Sequence, residues 1–109
     1  MKKTSKAPSG TSFHGDVFNA SVSDLRKILG IPVSETNDGE DKVNFEWVME
    51  NEEGDVFTVY DWKEYRVLDE NELIEWHIGG HSSLSTDLAV NEIAGALNEL
   101  DKALNELDE

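Results

Sequence analysis

Glu75 to His81, the stretch EWHIGGH, carries the residues whose types and spacing come closest to a chemical site. His77 and His81 lie four residues apart, a spacing that puts both imidazoles on one helical face in HExxH zinc sites. Here a Gly-Gly pair separates the two histidines, so we do not expect a helix that would place both imidazoles on one face. Serines follow His81, but a nucleophile needs a base that the fold positions beside it. We therefore predict no metal site, no cofactor, no catalytic residue and a non-enzymatic protein.

Aromatic and cationic side chains concentrate in this stretch and in YDWKEYR, residues 60–66. Rings beside Lys, Arg and His suit an anionic or aromatic ligand such as a nucleotide. The ligand site predicted on this basis comprises Tyr60, Trp62, Lys63, Arg66, Trp76, His77, Gly79, Gly80 and His81. In the competing interpretation the tryptophans are core, the cations are solvated and the glycines only turn the chain. That interpretation explains the second glycine least well, because one would suffice for a turn.

Charge is the strongest compositional signal, with 24 acidic residues against nine basic ones and a net charge of -15. Such a surface repels nucleic acids and anionic membranes, and it is attracted to basic protein surfaces. We expect the acidic contact surface to comprise Glu40, Asp41, Glu52, Glu53, Glu99, Asp101, Glu106 and Asp108. The plainer interpretation is that the charge serves solubility alone. The absence of cysteine excludes disulfides and thiolate chemistry.

The N-terminal stretch MKKTSKAPSG has lysines but no apolar region after them, unlike a signal peptide. No apolar run approaches the roughly 18 residues of a membrane span. We therefore expect a cytoplasmic protein with a flexible leader over residues 1–12 and a single domain over residues 13–109.

Hydrophobic periodicity predicts the elements of that domain. Alternation indicates a strand over 13–20, and Ser21 and Gly30 are typical of the start and end of a short helix. A hairpin follows, in which 43–48 and 56–62 alternate around the turn NEEGD. A further strand, ELIEWHI, is expected to end at the glycine pair.

A long helix is predicted from about residue 86 to residue 107. Its apolar positions step by three and four, and LNELD occurs twice, one heptad apart. The preferred interpretation is that this apolar seam covers one face of the sheet; the alternative is a homodimer seam. The order of elements predicts an α+β fold, with a small antiparallel sheet of about four strands and both helices on one face.

Three stretches together resemble a family of small acidic proteins encoded by bacteriophages and related mobile elements. They are FHGDVFNASVSDLRKILGIP, KVNFEWVMENEEGDVFTVYDWKEYR and EWHIGGH, within residues 13–81. The helix after residue 84 lies outside the resemblance. The resemblance implies an accessory protein that acts in the bacterial host cytoplasm, and it implies no mechanism.

Three functions remain open at this point. The preferred one is inhibition of a host nucleic-acid-binding or defence protein, for host takeover or counter-defence. The inhibitor would use an acidic surface that imitates DNA, which carries about one charge per 1.7 Å of its axis. The alternative is binding and sequestration of a small anionic molecule, such as a nucleotide signal, by the aromatic and cationic residues. The third is a structural or assembly role in the phage particle.

Overall fold

The computed structural model describes the backbone of residues 1–107 and the side chains of residues 1–104. It has the predicted α+β fold, but with six strands instead of about four. The strands are β1 (Lys2–Lys3), β2 (Ser12–Ala20), β3 (Ser34–Glu35), β4 (Phe45–Glu50), β5 (Val56–Asp61) and β6 (Ile74–Gly80). The helices are α1 (Val22–Leu29) and α2 (Ser83–Leu107). Both additional strands, β1 and β3, are two-residue pieces at one edge.

All strand pairs are antiparallel, in the order β1-β4-β5-β6-β2, with β3 also paired to β4. Alternating side chains of β4, β5 and β6 form a buried face that the helices cover. At its centre the indoles of Trp47 and Trp76 meet edge to face, with centroids 5.6 Å apart. Trp47 donates its ring N–H to the carbonyl of Gly30, and Trp76 donates to Ala20. Both buried rings therefore keep a hydrogen-bond partner.

Helix α1 begins and ends as predicted. The Ser21 hydroxyl accepts the backbone N–H of Asp24 at 3.1 Å, which is an N-cap. Gly30 ends the helix with a φ of 88° and donates its N–H to the carbonyl of Arg26. Val22, Leu25 and Leu29 form its buried side.

The prediction that the glycine pair ends the last strand is wrong. Strand β6 continues through both residues, which pair with β5 on one side and β2 on the other. A Cβ on Gly79 would lie 2.6 Å from the Thr58 hydroxyl, on the face opposite the helices. A Cβ on Gly80 would lie 2.7 Å from Thr86 Cγ2, at the start of α2. Each face of the sheet therefore excludes a side chain at one of these positions, which is why two glycines are needed.

The N-terminal segment, for which we predict a flexible leader, contacts the acidic domain through its lysines. Lys2 pairs with Glu50 at 3.3 Å and Lys6 with the same carboxylate at 3.1 Å. The ammonium of Lys6 also donates to the carbonyl of Gly54 at 2.7 Å. These contacts align β1 with β4, and Ser12 already belongs to β2.

Helix α2 begins at Ser83, three residues before the predicted start, and the Ser82 hydroxyl accepts the N–H of Ser85. Its first half covers the sheet as predicted, with Ile93 buried and Leu97 half-buried against the core. Leu104 is 42% exposed, so the seam leaves the sheet before that residue. Within the part of the chain described here, no helix combines the length and the apolarity needed to cross a membrane.

We expect Gly80→Ala to lower the free energy of unfolding by about 1–3 kcal/mol, the usual cost of forcing atoms into a filled core. Urea denaturation followed by circular dichroism measures the change. Gly95→Ala is the matched control, because it lies in α2 and no atom lies within 4 Å of its added Cβ. That control should instead gain about 0.5–1 kcal/mol. Equal effects of the two substitutions would contradict the assigned role of Gly80.

Candidate functional site

The face of the sheet opposite the helices carries a groove of about 320 Å³. Its walls come from the turn before β2, the residues around the start of β4, and β5 with the residue after it. The lining residues are Pro8, Thr11, Ser12, Val43, Glu46, Thr58, Tyr60, Trp62 and Gly79. A mixture of apolar surface and a few polar groups is typical of a small-molecule site.

Aromatic rings form a row beside and within this groove, across β5, β6 and β2. Tyr60 lies opposite His77 in the register of β5 and β6, with ring centroids 5.7 Å apart. The His77 ring stacks on Phe13 at 4.4 Å and lies 6.4 Å from Trp62. Trp62 is 40% exposed, whereas the other two tryptophans are fully buried. The row therefore ends in an indole that is open to a ligand.

Two lysine ammonium groups lie over the Trp62 ring. The Lys63 Nζ is 5.5 Å from the ring centroid and the Lys42 Nζ is 5.9 Å from it, both within cation–π distance. Neither lysine forms a salt bridge with any described side chain. Two such cations beside one exposed indole are unusual in a chain that has 24 acidic residues and nine basic ones.

The backbone holds the two lysines together. Lys63 donates its N–H to the carbonyl of Lys42 at 2.8 Å. It does so with a φ of 56°, in the left-handed region that a side chain with a Cβ rarely adopts. Backbone conformations of this kind cost free energy and tend to occur at functional sites, where the surrounding structure maintains them.

A buried carboxylate fixes the loop that carries Lys42. Asp61 accepts the backbone N–H groups of Asn44 and Phe45, both at 2.8 Å, and also the Asn44 side-chain amide at 3.1 Å. The same amide donates to the carbonyl of Arg66, and its oxygen accepts the N–H of Gly39. The loop before β4 and the loop after β5 are thus joined at the end of the groove.

Glu46 contributes a carboxylate to the groove wall. It alternates with the core residues Phe45 and Trp47, and its register partner is Tyr60. No hydrogen bond or salt bridge from the described side chains reaches its carboxylate, and burial raises its pKa. Burial also raises the pKa of the Tyr60 phenol, and the charge of Glu46 adds to that rise. Glu46 is therefore an acceptor without a donor of its own, directed into the groove.

The structure brings together only part of the predicted ligand site. Tyr60, Trp62 and Gly79 line the groove, and Lys63 and His77 lie beside Trp62. The remaining four predicted residues are elsewhere. Trp76 is buried on the face that the helices cover, and Gly80 faces Thr86. His81 lies beside Gly10, and Arg66 forms a salt bridge with Glu72.

The predicted acidic surface is divided among separate regions. Glu40 and Asp41 are exposed before β4, whereas Glu52 and Glu53 are exposed in the turn after it, so the two pairs lie at opposite ends of that strand. The second helix carries Glu99 and Asp101 on its exposed surface. The side chain of Glu106 and all of Asp108 lie outside the described residues. Among the described residues, no group of three or more His, Asp or Glu side chains could hold a metal ion.

Sequence reasoning missed Lys42, Glu46 and the turn at Pro8–Thr11. Alternation along β4 places Glu46 on the open face, so the period-two pattern contained that signal. Nothing local marks Lys42, since its position depends on hydrogen bonds to Asp61 from the next strand. The turn was assigned to the leader, which was expected to be flexible.

Comparisons of the chain with protein-family models, with curated proteins and with solved structures find no match. The resemblance to small acidic phage proteins therefore stays a prediction.

Quenching of tryptophan fluorescence tests the cations around Trp62, because Trp47 and Trp76 are fully buried. We expect replacing Lys42 and Lys63 with glutamine to lower the Stern–Volmer constant for iodide by about half, since local positive potential concentrates anions. Quenching by neutral acrylamide should not change. Lys27→Gln, on the exposed side of α1, is the matched control and should leave both constants as they are. An unchanged iodide constant in the double variant, or an equal fall in the control, would contradict the assigned geometry.

Proposed function

We propose that this protein is a non-enzymatic binding protein that holds a small anionic ligand with an aromatic ring, of the nucleotide class, in the groove. One observation supports this proposal above the others. Two lysines that form no salt bridge with a described side chain lie over the exposed indole of Trp62, in a protein of net charge -15. An aromatic ring suits stacking with a base, and ammonium groups beside it suit a phosphate.

Size and charge both favour a mononucleotide over a longer ligand. The groove, at about 320 Å³, is at the lower end of the roughly 300–1,000 Å³ typical of ligand sites. A nucleic acid chain would extend beyond the groove and meet the acidic surface, which repels phosphates. A mononucleotide keeps its charge close to the two lysines, and charges beyond about 8 Å are screened at physiological salt.

The energies of the contacts are consistent with exchange of lysine for ligand at Trp62. An exposed cation–π contact contributes about 0.5–1 kcal/mol. Stacking of a base on an aromatic side chain contributes about 1–3 kcal/mol. A base that stacks on Trp62 therefore replaces the ammonium groups at little cost, and the displaced lysines are then free to contact the phosphate.

The melting temperature in the presence of nucleoside monophosphates tests this function. A ligand at one hundred times its Kd stabilises the native protein by about 2.7 kcal/mol, so its melting temperature should rise by several degrees. Trp62→Ala, and the double replacement of Lys42 and Lys63 by glutamine, should abolish the rise. Lys27→Gln should retain it. If no nucleotide stabilises the wild-type protein, the proposed function is wrong.

The second candidate function is inhibition of a nucleic-acid-binding or defence protein through acidic contacts. It is favoured by the far half of α2, where Glu99 and Asp101 are exposed and Leu104 is uncovered. A basic partner surface complements such a helix, whereas a second copy of the chain would bring acids against acids. The other predicted acids lie at the two ends of β4, so they do not form one continuous row of charge like that of DNA.

This second candidate predicts that replacing Glu99 and Asp101 with Gln and Asn weakens inhibition of DNA-binding enzymes by roughly twofold to thirtyfold. Exposed ion pairs contribute about 0.2–1 kcal/mol each, and rising salt should reduce the effect. The measurement is inhibition of a panel of nucleases and polymerases at several salt concentrations. Replacing Glu40 and Asp41 in the same way is the matched control for charge. Inhibition that survives both replacements unchanged would exclude the acidic helix as the contact.

A further inference from the structure

We propose that the groove selects guanine among the nucleobases, with Glu46 as the residue that determines this specificity. The inference rests on the proposed function and names the base that the site accepts. It starts from Glu46, the charged acceptor in the groove wall, which lines the same groove as Trp62 and has no donor among the described side chains.

Glu46, Tyr60 and Trp62 line the same groove. Glu46 lies directly opposite Tyr60 in the register of β4 and β5, and Trp62 is the residue that follows β5. The ring centroids of Tyr60 and Trp62 are 6.1 Å apart, which places the indole close to the strand position opposite Glu46. A base stacked on Trp62 can therefore direct one edge at the Glu46 carboxylate.

A carboxylate discriminates among the four bases by their Watson–Crick edges. Guanine presents two adjacent N–H donors, on N1 and on its exocyclic amine, which match the two carboxylate oxygens as a bidentate pair. Adenine and cytosine present one donor beside a ring nitrogen whose lone pair repels the carboxylate. Uracil presents one donor between two carbonyl oxygens. Only guanine satisfies both oxygens without a repulsive neighbour.

The surroundings of Glu46 in the free protein favour a ligand that donates hydrogen bonds to it. Glu46 is half-buried, and burial disfavours its ionised form, as the raised pKa of its carboxyl indicates. The two lysines at Trp62 do not come within salt-bridge distance of it. A ligand with two donors relieves this desolvation, whereas a ligand with an acceptor in that place adds to it.

Isothermal titration calorimetry of the full chain with GMP, AMP, CMP and UMP tests the inference. Wild-type protein should bind GMP roughly tenfold to hundredfold more tightly than the other three, the discrimination expected of a bidentate pair. Glu46→Gln offers an acceptor and a donor side by side, which match the edges of adenine and cytosine. This variant should lose the roughly tenfold to hundredfold preference for GMP, and it should bind AMP and CMP more tightly than the wild type does.

Glu53→Gln is the matched control, since it removes the same charge from an exposed turn outside the groove. It should leave all four affinities unchanged. Equal affinity of the wild type for the four nucleotides would overturn the guanine inference while the proposed function stands. The same conclusion follows if Glu46→Gln weakens all four equally. Binding of none of the four would overturn the proposed function and this inference together. Circular dichroism and the melting temperature establish that both variants fold.

Discussion

The hydrogen bonds that converge on the Asp61 carboxylate are the interaction on which the open face depends. A buried charge is costly unless it is fully hydrogen-bonded, and Asp61 meets that requirement with backbone donors from Asn44 and Phe45. Those donors belong to the residues that begin β4, so the same contacts set where the preceding loop ends. Lys42 and Lys63 come together at Trp62 as a result.

The glycine pair links the core to the groove. Gly80 lets Thr86 approach the sheet, which seats the first turn of α2, while Gly79 lets Thr58 lie flat against the opposite face. One dipeptide thus determines how closely the helix covers the core and how deep the groove is. Neither glycine can replace the other in its role, because successive residues of a strand point to opposite faces of the sheet. The groove and the hydrophobic core therefore depend on adjacent residues of a single strand.

Sequence patterns predicted the elements that depend on interactions between residues close together in the chain. The caps of α1 at Ser21 and Gly30, the strand alternation around Trp47 and the hairpin turn all follow from neighbours in sequence. The continuation of β6 was not predictable in that way, since glycine weakens a strand unless side chains on other elements require it. The contacts of the N-terminal segment were not predictable for a similar reason, since Lys6 meets Gly54, 48 residues away. The candidate site was found in part, because Trp62 and Tyr60 lie on a strong alternating pattern, whereas Lys42 depends on a nonlocal carboxylate.

The attachment of the N-terminal segment makes the shape of the groove depend on ionic strength. Pro8 and Thr11 form one wall, and the chain just before them is held by the contacts of Lys6 with Glu50 and Gly54. The ammonium group of Lys6 is exposed, so salt screens its attraction to the Glu50 carboxylate. We therefore expect concentrated salt to loosen this wall. Acid acts in the same direction, because Lys6 lowers the pKa of Glu50, and protonation of that carboxylate removes the attraction.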